Sequence, residues 1–212
     1  MSTVYKKIAV LGGTGKAGKY LVDELLRQGY TVKALARDTR KVERSDPSLE
    51  VVQGNARDYG SVFNLLSGCE AVISALGPSR NEPDTCSTAA GYIIRTMQTL
   101  NISRFIEVAG LAIDAPGDKK GLLTRSLVTM MRWFASSVID DRQKDFELLK
   151  NSNIQWTLVR CPMIKLTDVT RGVKISLADS PGIQIGATDL ARFLIDQLNN
   201  EMFVCKAPFI AN

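Results

Sequence analysis

The chain has 212 residues, of which 45% are hydrophobic, 23% charged and 7% aromatic, with a formal net charge of +5. These proportions are typical of a folded globular protein and exclude a disordered or collagen-like one. The chain holds no histidine. This excludes Ser-His-Asp and Cys-His catalysis and removes the commonest metal ligand, so we expect no metal site.

The charge pattern, the first hydrophobic run and the cysteine spacing exclude several kinds of partner and site. Lysines and arginines are interleaved with acidic residues, so we expect no nucleic-acid partner. The first hydrophobic run is too short for a signal or a membrane span, so we expect a cytoplasmic protein with no membrane partner. Cys69, Cys86, Cys161 and Cys205 form no Cys-x-x-Cys pair, and we expect reduced, mostly buried thiols.

Short apolar runs alternate with helical stretches along the chain. Continuous apolar strands are buried on both faces, as in a parallel sheet covered by helices on each side. The pattern therefore predicts an α/β fold, a Rossmann-like doubly wound parallel sheet, with a single domain over 1–212. The runs that we predict as strands are 8–11, 31–36, 49–52, 71–76, 105–109 and 156–159.

Capping residues predict the limits of the helices. The first helix ends at Gly29, Asp58 caps the next, and Asp84 or Thr85 caps the one that follows. A charged loop at 116–121 precedes a long helical region that ends near residue 153.

The carboxyl-terminal part contains shorter elements. Segments 173–177 and 182–185 flank Ser180-Pro181 and predict a hairpin, after which Thr188 caps a final helix. We assign the small elements at about 163–187 to the substrate side of the domain.

A glycine-rich turn joins the first strand to the first helix and reads Gly-Gly-Thr-Gly-Lys-Ala-Gly over 12–18. Glycines in such a turn permit a tight exit from the strand, close approach of a pyrophosphate at Gly15, and close helix packing at Gly18. The amino terminus of the helix presents free N–H groups to the phosphates. The turn therefore predicts a dinucleotide site, with cofactor contacts from Gly12, Thr14, Gly15, Lys16 and Ala17.

The end of the second strand bears on the choice of cofactor. Arg37 stands there, with Arg40, Lys41 and Lys16 nearby in sequence, and a guanidinium suits the 2′-phosphate of NADP. Asp38 is the alternative, because a carboxylate there would accept the ribose hydroxyls of NAD. We favour NADP over NAD.

Motifs along the whole chain are similar to those of a known family. They are GGTGKAG at 12–18, ALARD at 34–38, VVQGNARD at 51–58, AVISALG at 71–77, RFIEVAG at 104–110, WTLVRCP at 156–162 and ATDLARFL at 187–194. With these motifs the sequence resembles the atypical short-chain dehydrogenase/reductases, including the biliverdin-IXβ and flavin reductases. The similarity covers essentially the whole chain and is closest in the helix and strand at 138–159.

The resemblance implies further cofactor contacts. Asn55 and Ala56 would meet the adenine. The central crevice and the nicotinamide end would be lined by Ala75, Leu76, Gly77, Cys161, Pro162 and Met163.

The Tyr-x-x-x-Lys pair and the serine of typical superfamily members are missing, and with them the usual proton donor. Val138 and Arg142 stand at the tyrosine and lysine positions, and Ala109-Gly110 replaces the serine. Arg142 is a weak catalytic candidate that could bind the nicotinamide ribose or an acidic substrate. The alternative is an exposed helix arginine that pairs with a nearby acid.

These features favour an NADPH-dependent reductase that passes hydride to a small electron-poor acceptor, a flavin or quinone, with solvent as proton source. A non-catalytic NADP-binding sensor and an epimerase or dehydratase are the alternatives. The apolar group of Met130, Met131, Trp133 and Phe134 is interpreted as core packing or, alternatively, as a wall for a flat acceptor. We expect a monomer or a weak homodimer.

Overall fold

An eight-stranded sheet with helices on both faces forms the domain. The computed structural model describes residues 5–42, 44–78 and 82–212, apart from the side chain of Lys41. The strands are β1 (Lys7–Leu11), β2 (Thr31–Ala36), β3 (Leu49–Gln53), β4 (Ala71–Ser74), β5 (Arg104–Gly110), β6 (Gln155–Cys161), β7 (Met163–Lys165), β8 (Lys174–Ser176), β9 (Gln184–Gly186) and β10 (Phe209–Ala211). The α-helices are α1 (Lys16–Arg27), α2 (Tyr59–Leu66), α3 (Thr85–Leu100), α4 (Leu122–Lys150) and α5 (Ala187–Asp196).

The strand order is β3-β2-β1-β4-β5-β6-β10-β8, and every neighbouring pair is parallel except β10 with β8. The chain thus adds strands on one side of β1 and then on the other. A crevice opens where the order reverses, between the carboxyl ends of β1 and β4. The predicted doubly wound α/β fold is confirmed, and each predicted apolar run forms a strand.

Apolar side chains form a core on each face of the sheet. One core packs β-strand residues against Val62 of α2, Ile93 of α3 and Phe146 of α4. The other packs the opposite face against Leu21 of α1 and Leu194 of α5. Burial on both faces explains why these strands are continuously apolar.

Several predicted caps are found and others differ. The carboxylate of Asp58 accepts from the Ser61 N–H at 2.7 Å, and Gly29 follows the end of α1 with φ +85°. Asp84 occupies the N-cap position of α3 but makes no capping bond with its side chain. Thr188 does not cap α5, because its hydroxyl donates to the Thr167 carbonyl at 3.1 Å.

The predicted hairpin around Ser180-Pro181 is wrong. β8 pairs antiparallel with β10, whereas β9 pairs in parallel with β7. The connecting loop is held elsewhere, since the Asp179 carboxylate accepts from the Gly121 N–H at 2.9 Å just before α4. This contact ties the loop to the start of α4, and the two flanking strands pair with different partners.

Helix α4 has a kink. Ala135 has φ −151° and ψ 41° within it, so the helix consists of two segments that meet at this residue. Within the described residues, every helix is too short or too polar to span a bilayer.

Candidate functional site

The glycine turn lies directly beside the chain that leaves β4. Leu11 stands opposite Ser74 in the sheet, and the Ala75 N–H donates to the Leu11 carbonyl at 3.0 Å. Gly12 has φ +73°, and a Cβ there would lie 2.5 Å from the Ala75 carbonyl oxygen. Only glycine fits this close crossing.

The turn is also closed against α1. The Gly15 N–H donates to the Gly12 carbonyl at 2.9 Å, and Gly15 is the N-cap residue of the helix. A Cβ at Gly18 would lie 2.0 Å from the Gly12 oxygen, whereas one at Gly15 would meet that oxygen at 3.1 Å and nothing else within 4 Å. Gly18 therefore allows α1 to pack closely against the turn. The space beside Gly15 stays open toward the crevice.

Two cavities meet at this crossing and share Gly15 and residues 75–78. We call them the Asn55 cavity, of about 280 Å³, and the Cys161 cavity, of about 380 Å³. The Asn55 cavity lies on the β2 and β3 side and the Cys161 cavity on the β5 and β6 side. Together they form a continuous binding region across the carboxyl edge of the sheet, at the switch in strand order.

Nearly all of the cofactor residues that the sequence predicts line one of these cavities, but Met163 does not. Its side chain is 68% exposed and lies outside both cavities, because it alternates with the inward-facing Ile164 on β7. The Asn55 cavity is lined by Gly12, Thr14, Gly15, Arg37, Asn55, Ala56, Ala75, Leu76 and Gly77, and the Cys161 cavity by Lys16, Ala17, Arg142, Cys161 and Pro162.

Other lining residues were missed in the sequence. Glu82 and Thr85 close the Asn55 cavity, and Leu190 and Leu194 of α5 close the Cys161 cavity. Residues on α5 carry only an amphipathic helix pattern, which marks them as buried without saying that a cavity lies beside them.

The cations near the second strand end are not equivalent. Arg37 lies at the Asn55 cavity with its side chain 72% exposed, and its Nη1 is 3.7 Å from Oε2 of Glu82. Arg40 instead pairs with Asp38 at 2.9 Å. Lys16 lines the other cavity, and the side chain of Lys41 lies outside the described residues. Among the described residues that line the Asn55 cavity, Arg37 is thus the cation that can meet an anionic group.

Arg142 is neither a free substrate ligand nor the exposed arginine of the alternative interpretation. It is buried, and its Nη1 donates to Oε1 of Glu107 at 3.0 Å and to Oδ2 of Asp145 at 2.9 Å. Its Nη2 donates to the Leu76 carbonyl, in the segment that both cavities share. Arg142 therefore holds in place the segment at 75–78, which lines both cavities.

The carboxylates of Glu107 and Asp145 are buried together. Their second oxygens, Oε2 and Oδ1, have no hydrogen-bond partner among the described residues. Burial raises the pKa of Glu107, and burial and the neighbouring Glu107 raise the pKa of Asp145 well above its ordinary value. The guanidinium of Arg142 opposes both shifts. Two acids facing one cation thus favour uptake of a proton by the pair.

The Cys161 cavity has an apolar wall at the positions that the sequence resemblance assigns to the usual proton donor. Val138, Ala109 and Gly110 line it at the positions of the tyrosine and serine. Burial raises the pKa of the Cys161 thiol to about 12, so this thiol stays protonated and is a weak nucleophile. Among the described residues that line this cavity, Arg142 and Lys16 are the only charged ones.

The interpretation of the Met130 group as core is wrong. Met130, Trp133 and Phe134 are exposed, with Trp133 and Phe134 each 85% accessible. Met131 is partly exposed and lines the Cys161 cavity. The kink at Ala135 separates these side chains from the buried second segment of α4.

Two relatives that align over most of the chain are named oxidoreductases. The oxidoreductase ptaF of Pestalotiopsis fici is 28% identical over 210 residues, which covers 92% of this chain and 79% of the relative. The oxidoreductase GME11367 of Pestalotiopsis microspora is 29% identical over 206 residues, which covers 89% and 78%. The matches therefore extend over most of each chain.

Solved structures share the fold at low identity. A short-chain dehydrogenase/reductase of Veillonella parvula covers 99% of this chain and 95% of its own, with a TM-score of 0.81 and 17% identity. Another structure of a short-chain dehydrogenase/reductase from that organism, in complex with NADP, covers 99% of this chain and 95% of its own, with a TM-score of 0.78 and 16% identity. Residues 12–201 match the NAD(P)H-binding family. The chain belongs to this NAD(P)H-binding family and has the Rossmann-like fold of the short-chain dehydrogenase/reductases.

Proposed function

We propose that this protein is an NADPH-dependent reductase that delivers hydride to a flat, electron-poor acceptor of the flavin or quinone kind. The observation that carries the proposal is the Cys161 cavity, which is apolar and lacks the tyrosine and serine of the usual proton donor. A flavin or quinone accepts hydride without an acid in contact with it, and water then supplies the proton.

The residues present fit a dinucleotide. The turn at 12–18 leaves room beside Gly15, and the first N–H groups of α1 would donate to a phosphate there. Asn55 and Ala56 would hold the adenine, and Cys161 and Pro162 would lie at the nicotinamide end. When bound, the reduced nicotinamide supplies the hydride. The protein holds the segment at 75–78 through Arg142 and keeps water out with apolar side chains.

NADP is the proposed cofactor. Arg37 is a cation that lines the Asn55 cavity, and its contact with Glu82 at 3.7 Å is longer than a hydrogen bond. A 2′-phosphate would make a shorter, charge-assisted contact with this guanidinium. The unpaired cysteines, three of them buried, support a reducing compartment such as the cytoplasm.

The test is a reaction screen with the purified protein. NADPH consumption is followed by absorbance with a free flavin, a water-soluble quinone and a linear tetrapyrrole as separate acceptors. We expect turnover with the flavin or the quinone and slower turnover with NADH. Activity with the tetrapyrrole alone would instead support the resemblance to the biliverdin-IXβ reductases.

A sensor is the second candidate, because the usual proton donor is absent and Arg142 is fully engaged by acids. Tight NADPH binding without turnover of any acceptor would overturn the reductase proposal in favour of the sensor. An epimerase or dehydratase is disfavoured, since such reactions require a proton donor at the reacting carbon or oxygen.

A further inference from the structure

The first segment of α4 carries large apolar side chains on its outside. We call residues 122–134, which end at the kink, the α4 ridge. Trp133 and Phe134 are each 85% exposed and Leu122 is 83% exposed, and Leu123 and Met130 are exposed as well. Single exposed apolar residues are ordinary, but a group of this size on one helix marks an interaction surface.

These side chains share one face of the ridge. At about 100° per residue, Leu122, Leu123, Met130, Trp133 and Phe134 fall within an arc of about 120°. The buried Thr124 and Val128 fall on the opposite side and attach the ridge to the domain. The exposed arc is therefore not a poorly packed core face. It is a second apolar face that the described residues of the domain do not cover.

The segment that carries the ridge has cations and no acid of its own, and the acids near it belong to neighbouring segments. Residues 119–139 include Lys119, Lys120, Arg125 and Arg132 and no aspartate or glutamate. Lys120 is buried and pairs with Asp114, and Arg132 pairs with Asp114 and lies 3.9 Å from Asp140. No ion pair is found for Lys119 or Arg125 within the described ranges. Lys119 and Arg125 are exposed, and an apolar helix face with exposed cations beside it is the pattern of helices that lie in the interface of an anionic bilayer.

We propose that the α4 ridge docks on an anionic lipid surface, with Trp133 and Phe134 inserted at the level of the headgroups. We take a lipid surface rather than a second copy of the chain as the occupant, because the exposed cations Lys119 and Arg125 complement an anionic surface. Docking also brings the Cys161 cavity next to the lipid, since Met131 of the ridge lines it. The proposal goes beyond the proposed function and departs from the sequence-based expectation of no membrane partner.

The test measures partition of the full chain onto lipid vesicles by co-sedimentation. Vesicles of phosphatidylcholine alone are compared with vesicles that contain one third phosphatidylglycerol, at low and high salt. We expect binding to the anionic vesicles and its weakening by salt. Trp133 is exposed and Trp156 is buried, so a blue shift of tryptophan fluorescence on binding reports the ridge.

Variants distinguish the ridge from other surfaces. The double variant Trp133→Ser/Phe134→Ser is expected to lose partition by about tenfold or more, because each aromatic loses its burial in lipid. Met202→Ser, at an apolar side chain 63% exposed outside the ridge, is the matched control and should keep it. Circular dichroism checks that each variant is folded.

Three results would overturn the proposal. They are failure of the parent to bind anionic vesicles, equal binding by the double variant, and a concentration-dependent dimer that the double variant abolishes. The last result would make the ridge a contact between copies of the chain. Each of these results is independent of the acceptor screen.

Discussion

At the level of single residues, two glycines of one turn have different physical roles. Gly18 has no room for a side chain, because a Cβ would lie 2.0 Å from the Gly12 oxygen. Gly15 has an extended backbone that alanine also adopts, with φ −73° and ψ 167°. Its Cβ would come 3.1 Å from the same oxygen, and the remaining space around it is open to both cavities.

We therefore expect opposite outcomes for Gly15→Ala and Gly18→Ala. Gly15→Ala should stay folded but lose NADPH binding by about tenfold or more, since its methyl group occupies the space of the pyrophosphate. Gly18→Ala should lower the midpoint of thermal unfolding by several degrees, because the helix must move away from the turn. Differential scanning fluorimetry with and without NADPH measures both quantities. If NADPH stabilised Gly15→Ala as much as the parent, the pyrophosphate would not lie over this turn.

The assignment of NADP depends on Arg37. We expect Arg37→Ala to weaken NADPH binding by about 1.5 to 3 kcal/mol and NADH binding far less, because only NADPH carries the 2′-phosphate. Arg40→Ala is the control, since Arg40 is engaged by Asp38 at 2.9 Å and does not line the Asn55 cavity. Titration calorimetry on both variants measures the affinities for NADPH and NADH. Equal losses for the two cofactors would contradict the assignment.

At the level of secondary-structure elements, α3 is capped by a different helix. The Asp141 carboxylate on α4 accepts from the Cys86 N–H at 2.9 Å and from the Ser87 N–H at 3.2 Å. The Ser87 hydroxyl donates to it as well. A buried carboxylate at a helix amino terminus satisfies free N–H groups and opposes the positive end of the helix dipole. One side chain thus joins α3 to α4.

Asp141→Ala is expected to lower the free energy of unfolding by about 1 to 2 kcal/mol, because it leaves buried N–H groups of α3 without an acceptor. Asp140→Ala is the matched control. The neighbouring Asp140 is exposed, and it faces Arg132 at 3.9 Å, which is a weak surface pair. Urea unfolding of the two variants compares them directly. A loss in Asp140→Ala as large as that in Asp141→Ala would refute the capping role.

At the level of the whole molecule, the buried cluster of Glu107, Arg142 and Asp145 couples stability to pH. It joins β5 to α4 and, through Leu76, to the crevice. The pKa values of Glu107 and Asp145 in the folded protein are raised from the ordinary 4.5 and 3.8. A raised carboxyl pKa stabilises the fold fully below its ordinary value, and this contribution is lost as pH rises through the raised pKa.

The parent should therefore lose stability as pH rises above the ordinary carboxyl pKa values and through the raised ones. Asp145→Asn removes one of the two competing carboxyls, so its free energy of unfolding should fall less over the same range. Urea unfolding at several pH values measures the two slopes, with Asp140→Asn as an exposed control. Parallel curves for the parent and Asp145→Asn would show that the pair holds no extra proton.

Much of the fold follows from the sequence because it depends on local patterns. The continuous apolar runs predict buried parallel strands, and the glycine spacing after β1 predicts the turn at the crevice. Both follow from backbone conformation and from the burial of neighbouring residues, which short segments encode. For the same reason most predicted cofactor residues on the turn and at strand ends line the two cavities.

The tertiary structure decides the contacts between distant segments. Asp141 rather than Asp84 caps α3, Arg142 is engaged by Glu107 and Asp145, and Asp179 holds the loop that was predicted as a hairpin turn.

The exposure of Trp133 also depends on tertiary structure. An apolar helix stripe has the same spacing whether the domain covers it or not. The sequence by itself determined the elements and the glycine turn, whose causes lie within a few residues. Only the packing of those elements in three dimensions decided which charges meet and which apolar face remains open.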